Sequence, residues 1–202
     1  MRVWSALSVV YLLGVVASLL TGCGRSTPAR FYVLSPLPRG EQAVASDKPL
    51  VIGIGPVELP SYLDRPQIVS RPNPNRLALA EFDRWAEPLA TSFSRVLAEN
   101  VSSLLGTERV VLLPWKNASN VKFRVAVNVI RFDGLAGKQA SLIARWTVFG
   151  ADGNELAPMR RSSIQVQTQG PGFEELTAAM SEAVASLSHE IATVIRTSDS
   201  AP

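Results

Sequence analysis

Val121, Phe123, Val125, Val127 and Val129 occupy every second position, with Lys122, Arg124 and Asn128 among the residues between them. A period of two belongs to an extended chain with one face buried and the other wet, because no helix can gather such a row on one side. The same phase recurs downstream. Leu142, Ala144, Trp146 and Val148 share a face in a second long strand from Gln139 to Gly150. Met159 to Thr168 returns after a turn at Ala151-Asp152-Gly153-Asn154 and ends at Gly170-Pro171-Gly172. An antiparallel meander of these strands is expected.

Helical spacing brackets this block. Trp85, Leu89, Phe93, Val96, Leu97, Val101, Leu104 and Leu105 predict one helix, with Pro88 in its first turn and Gly106 closing it. Trp85 is read as an aromatic plug seating the helix start on the sheet, and Glu81 and Asp83 as residues that lead into and cap it. Leu176, Met180, Ala183, Val184, Leu187, Ile191 and Val194 predict a second helix from Phe173, with Glu174 and Glu175 complementing its N-terminal dipole. Upstream, Phe31–Leu34, Leu50–Val57, Gln67–Arg71, Arg76–Ala80 and Arg109–Leu113 read as shorter strands. Pro72-Asn73-Pro74-Asn75 turns a hairpin, and Ser35–Pro49 is an exposed loop. Gly53 and Gly55 share a strand face and permit a close backbone approach. The fold class is therefore α/β (α+β): a two-layer sandwich with a mostly antiparallel sheet and two long helices packed on one face. Lys122, Arg124, Asn128, Arg145 and Thr147 mark the opposite face, which should meet solvent or a wet interface.

The first residues follow a different logic. Arg2 supplies a positive charge, Val9 to Leu20 form an apolar run of signal-peptide length, and Leu20-Thr21-Gly22-Cys23 closes it. Small residues followed by cysteine read as a lipobox, with cleavage between Gly22 and Cys23 and a diacylglyceryl thioether on the Cys23 thiol. Residues 1–22 are then a lipoprotein signal peptide and 23–30 a lipidated tether. Residues 31–197 form a single domain and 198–202 a polar tail. Gly24 in place of Asp favours the inner leaflet of the outer membrane, with the domain facing the periplasm.

Cys23 is the only cysteine, so lipidation leaves no thiol for a disulfide, a nucleophile or a thiolate metal site. With 47% apolar and 18% charged residues the chain can build a core, and a net charge of +3 without a basic run offers no nucleic-acid stripe. The sole histidine, His189, lies roughly opposite the apolar stripe of the last helix and reads as a surface residue. Asp152-Gly153-Asn154 is a fragment of a calcium loop that a hairpin turn explains better. No metal, cofactor or catalytic residue is expected, and the chain is read as a non-enzyme.

Three segments carry a resemblance. They are Val57-Glu58-Leu59-Pro60-Ser61-Tyr62-Leu63-Asp64-Arg65-Pro66-Gln67-Ile68-Val69, Asn75-Arg76-Leu77, and Phe82-Asp83-Arg84-Trp85-Ala86-Glu87-Pro88-Leu89. With Phe31-Tyr32-Val33-Leu34 and Val96-Leu97-Ala98-Glu99-Asn100-Val101, the chain resembles the PqiC-like, ABC-type transport auxiliary lipoprotein family. The resemblance implies a periplasmic subunit that works beside an MCE-domain protein and its inner-membrane permease and ATPase. Such systems move lipid between the membranes and support envelope integrity. It also implies docking of the MCE protein at the outer membrane, as a homo-oligomeric ring of copies.

Tyr62, Leu63, Asp64 and Arg65, in a proline-bounded turn, are the candidate docking residues. The alternative is an ordinary structured loop in which Tyr62 and Leu63 cover a sheet edge and Asp64 pairs with Arg65. A direct lipid or lipopolysaccharide carrier is the other functional reading, and it requires an apolar cavity between helices and sheet. Filling of that gap by Trp85, Phe93, Phe123, Trp146 and Phe173 is expected instead.

Overall fold

The computed structural model describes residues 27–38, 50–114 and 120–200. Its strands are β1 (Arg30–Tyr32), β2 (Ile52–Glu58), β3 (Gln67–Asn73), β4 (Arg76–Trp85), β5 (Val110–Leu112), β6 (Phe123–Leu135), β7 (Gln139–Phe149) and β8 (Arg160–Gln167). The helices are α1 (Leu89–Leu105) and α2 (Phe173–Asp199), with a 3-10 turn at Ser61–Leu63. The expected α/β architecture is present, with all eight strands in one mixed sheet.

Strand β6 organises that sheet. One edge pairs with β7 along its whole length, and β7 pairs onward with β8, both antiparallel as the alternation predicts. The other edge is shared: β2 lies parallel to Phe123–Asn128, and β3 joins parallel at Gly134. The sheet therefore forks into a β2–β5 arm and a β3–β4–β1 arm. A bulge between Val129 and Arg131 leaves Ile130 outside the register. Since one extra residue reverses the facing of all that follow, Phe132 now points to the core, while Arg131 and Asp133 turn to the helix-free face.

Helices α1 and α2 lie together on the other face, and both predicted stripes are buried against it. Phe93 and Phe132 meet edge to face, their centroids 5.2 Å apart. With Trp85, Phe123 and Trp146 they fill the layer, and Phe173 packs at its margin. Trp146 Nε1 donates to Ser162 Oγ at 2.8 Å, and that hydroxyl donates onward to Glu190, so the indole keeps its polar partner while buried. Gly55 makes the expected close approach: a methyl there would stand 2.6 Å from Leu113 Cβ.

Several local expectations change. Trp85 is buried, but it ends β4 instead of lying on α1, which starts only after Pro88. Proline disfavours helical backbone in the residue before it, so the helical spacing cannot extend upstream of Glu87. Pro88 accordingly takes the N-cap position, and its backbone is extended. Glu81 and Asp83 therefore belong to β4 and cap nothing. Asp83 accepts from Arg30 Nε at 2.7 Å, Arg30 Nη2 at 2.9 Å and Tyr32 Oη at 2.7 Å, fastening β1 to the sheet.

The segment after β1 has no regular secondary structure through Pro38, as a loop should, but it is tied to both helices. Leu34 is buried, and its N–H donates to Ser92 Oγ at 3.4 Å. Ser35 N–H reaches Ser181 Oγ at 3.1 Å and Leu37 N–H reaches Asn100 Oδ1 at 2.7 Å. These bonds explain why both helices bury polar residues beside their apolar stripes. On the opposite sheet face Lys122, Asn128 and Arg145 are exposed and Arg124 is half-buried, but Thr147 is buried among its neighbours. Helix α2 runs on to Asp199, which pairs with Lys122, so the helix takes in the first two residues of the 198–202 segment expected as a polar tail.

Candidate functional site

Pro60 initiates the one-turn helix Ser61–Leu63, and the turn closes through Leu63 N–H on Pro60 O (2.9 Å) and Asp64 N–H on Ser61 O (3.1 Å). So tight a turn sends neighbouring side chains in different directions. Leu63 enters the core. Tyr62 turns toward the helix-free face and donates its hydroxyl to Asp133 Oδ2 at 2.9 Å. Asp64 and Arg65 remain at the surface end of the turn. Of the four candidate docking residues, Tyr62 is turned away into the frame, whereas Leu63, Asp64 and Arg65 line one opening.

The other wall of that opening comes from the junction of β4 and α1. Trp85 N–H donates to Pro66 O at 2.6 Å, which draws the two segments together. Between them lies a groove of about 710 Å³, with Pro60, Leu63, Trp85 and Leu89 giving it an apolar lining and Asp64 and Arg65 a polar rim. Glu87 also lines it, and its carboxylate accepts from Arg95 at 2.8 Å. That hydrogen bond holds the Glu87 carboxyl below its ordinary range, so it is ionised near neutrality and suited to pairing, not to donating a proton. The groove is chemically equipped to seat an apolar side chain and orient it with charges at the rim.

A second polar centre escaped the sequence reading. Asp133 is fully buried, yet it accepts from Tyr62 Oη, from Arg71 Nε at 2.9 Å and from Arg131 Nε at 2.8 Å. The Arg71 guanidinium also lies 5.5 Å from the centre of the Tyr62 ring. Its hydrogen bond to Asp133 holds Arg71 above its usual range, while burial and the nearby carboxylate push the Tyr62 phenol up. Such a carboxylate survives burial because its oxygens are bonded and its charge is compensated. The available signal was Arg131-Phe132-Asp133, where two charges at alternate positions flank an aromatic and break the preceding phase.

Gly22 and Cys23 lie outside the described residues. His189 is exposed on α2. The Asp152 carboxylate accepts from Asn154 N–H at 3.0 Å and Asn154 Nδ2 at 2.7 Å, as a hairpin Asx turn requires. Among the described residues no group of three or more His, Cys, Asp or Glu side chains is placed to hold a metal ion, and no helix is long and apolar enough to cross a membrane.

Fold and clefts together define a two-layer α/β protein with a filled core and openings at its surface. The chain belongs to the ABC-type transport auxiliary lipoprotein component family, whose model matches residues 32–192. It is 24% identical over 186 residues to the intermembrane transport lipoprotein PqiC of Escherichia coli K12, covering 90% of this chain and 96% of that protein. The PqiC of Shigella flexneri matches to the same extent. The fold is shared with an uncharacterized protein of known crystal structure, with a TM-score of 0.68 and 20% identity over 84% of this chain and 99% of the other. A Xanthomonas campestris protein is similar at a TM-score of 0.67 and 15% identity, covering 85% of this chain and all of its own. The chain is thus a transport-associated, membrane-associated lipoprotein, and its family is not an enzyme class.

Proposed function

We propose that this chain is a non-enzymatic subunit of an MCE/ABC-type intermembrane lipid transport system, docking the MCE-domain protein at the outer membrane and supporting envelope integrity. One observation carries the reading. The two segments on which the family resemblance is strongest, which flank the β3–β4 hairpin, form the facing walls of a single groove. The groove sets apolar side chains at the margin of the core beside a charged rim, a combination suited to a partner's side chain.

The rest of the molecule is compatible with an anchored component. Cleavage after Gly22 and acylation of Cys23 would hold the domain on the inner leaflet of the outer membrane. Phe31 and Val33 on and beside β1 are exposed, and a lipid on Cys23 would keep this apolar edge within about 28 Å of the bilayer, the most that eight residues can span. The sheet edges at β1, β5 and β8 leave backbone groups for neighbouring copies, which supports a homo-oligomeric ring. Permease and ATPase partners would act through the MCE protein. Among the described residues the layer between helices and sheet is filled by side chains, which favours the docking reading over a direct lipid carrier.

Photo-crosslinking in the envelope tests the docking. A photoreactive residue at Asp64 or Ala90, both exposed at the groove, should form an adduct with the MCE protein, and one at Arg145 on the helix-free face should not. Adducts from Arg145 alone, or none with an MCE protein from any position, would end this reading.

A further inference from the structure

The helix-free face carries a cleft of about 500 Å³ beside the Asp133 cluster, and none of its lining residues takes part in the docking groove. Arg71, Arg131, Lys138, Ser141, Gln139 and Gln167 contribute to its wall, together with the β6–β7 hairpin. Its charge is unbalanced. No carboxylate lines it, and Asp133 behind it is already bonded to two arginines and a tyrosine. The three cations therefore exceed the nearby acid.

Donor capacity is likewise left over. Arg131 spends its Nε on Asp133, but its two terminal nitrogens have no hydrogen-bond partner among the described residues. Lys138 is exposed on the hairpin, and its ammonium has no carboxylate partner among the described residues. Ser141 pairs in register with Asp133 and is only 3% exposed, yet its hydroxyl makes no hydrogen bond among the described residues. An orphaned buried hydroxyl is costly and calls for a partner that the protein itself does not supply.

From this geometry we infer an oxyanion-binding site that takes a phosphate group on Arg131, Lys138 and Ser141. Guanidinium, ammonium and hydroxyl donors of different shape converging on one cleft suit a tetrahedral group with several acceptor oxygens better than a planar carboxylate. Arg71 is the positioning residue: it is bonded on Asp133 and on Pro74 O (3.1 Å), and so fixes the carboxylate that orients Arg131. A second hollow, lined by Ile130, Ile143 and Pro74, adjoins the cleft through Arg71 and Arg131. The bulge that turned Arg131 outward also set Ile130 beside it, so the phosphate of an amphiphile or a free phosphate would meet the same donors.

Calorimetric titration of the full mature lipoprotein in a non-ionic detergent tests the site, with inorganic phosphate and dihexanoylphosphatidylglycerol as separate probes and dihexanoylphosphatidylcholine as the zwitterionic control. Saturable binding of an anionic probe is expected, weakened about tenfold by Lys138→Gln or Arg131→Gln and about threefold or more by Ser141→Ala. Binding of the phosphatidylglycerol alone assigns the group to a lipid, and equal binding of inorganic phosphate assigns it to the free ion. Because Arg131→Gln also loosens the Asp133 cluster, Lys138→Gln on the exposed hairpin keeps the test valid if the first variant unfolds. No saturation by either anion up to about 10 mM, an equal response to phosphatidylcholine, or binding that both Lys138→Gln and Ser141→Ala leave unchanged would overturn the assignment.

Discussion

The Tyr62 hydroxyl donates to the Asp133 carboxylate at 2.9 Å, joining the Ser61–Leu63 turn to β6 across 71 residues of sequence. This bond ties the Ser61–Leu63 turn to the helix-free face, and it is why Tyr62 serves the frame of the groove and not its surface.

Removing that bond should cost less than removing the carboxylate. Tyr62→Phe leaves Asp133 held by two arginines and is expected to lower stability by about 1–2 kcal/mol. Asp133→Ala leaves Arg71 and Arg131 without their shared partner and should cost about 3–5 kcal/mol. Urea midpoints of the two variants give the comparison, and equal losses would contradict the cluster's hierarchy.

Acid should weaken the β1–β4 connection. Burial pushes the Asp83 carboxyl up, but hydrogen bonds from Arg30 and Tyr32 and the Arg30 charge more than offset it, leaving a net shift downward. A depressed carboxylate stabilises the fold above its unfolded value of about 3.9, and the contribution disappears as pH falls through the lower folded value. Stability measured from pH 7 down to about 3 should therefore fall more steeply for the native chain than for Asp83→Asn. Parallel curves would remove Asp83 from the account.

The core prediction concerns the aromatic contact under α1. Phe93→Ala empties a fully buried position and breaks the edge-to-face pairing with Phe132. A loss of about 3–5 kcal/mol is expected, with the far-ultraviolet spectrum retained below the new melting temperature. A change below about 1 kcal/mol would mean that the site collapses around the smaller side chain.

Anchoring is tested by chemistry at one atom. Cys23→Ser removes the thiol that would carry the diacylglyceryl group, so the precursor should keep residues 1–22 and lose outer-membrane fractionation. Intact-mass analysis reads both events. A variant that still sediments with the outer membrane at native levels would show that acylation is not what holds the protein there.

Much of the architecture could be read residue by residue because burial imposes a local period. The valines of β6, the alternate residues of β7 and the stripes of α1 and α2 all face the core as their spacing requires. Trp85 shows where such reading stops: its distance from Leu89 suits a helix, but Pro88 forces the intervening backbone to remain extended. Gly106 closes α1 in the left-handed conformation, again a local matter of which residue tolerates it.

Sequence alone thus determined most of the strands and helices and, up to the bulge at Ile130, the faces they bury, since each depends on neighbours a few positions away. Tertiary structure decided which polar groups meet. Asp133 finds Tyr62 and Arg71 only because β6 offers one edge to two different strands, and Arg131 faces them only because a bulge reverses its phase. Those choices come from pairing energies between distant segments, where a single extra residue exchanges the core face for the solvent face.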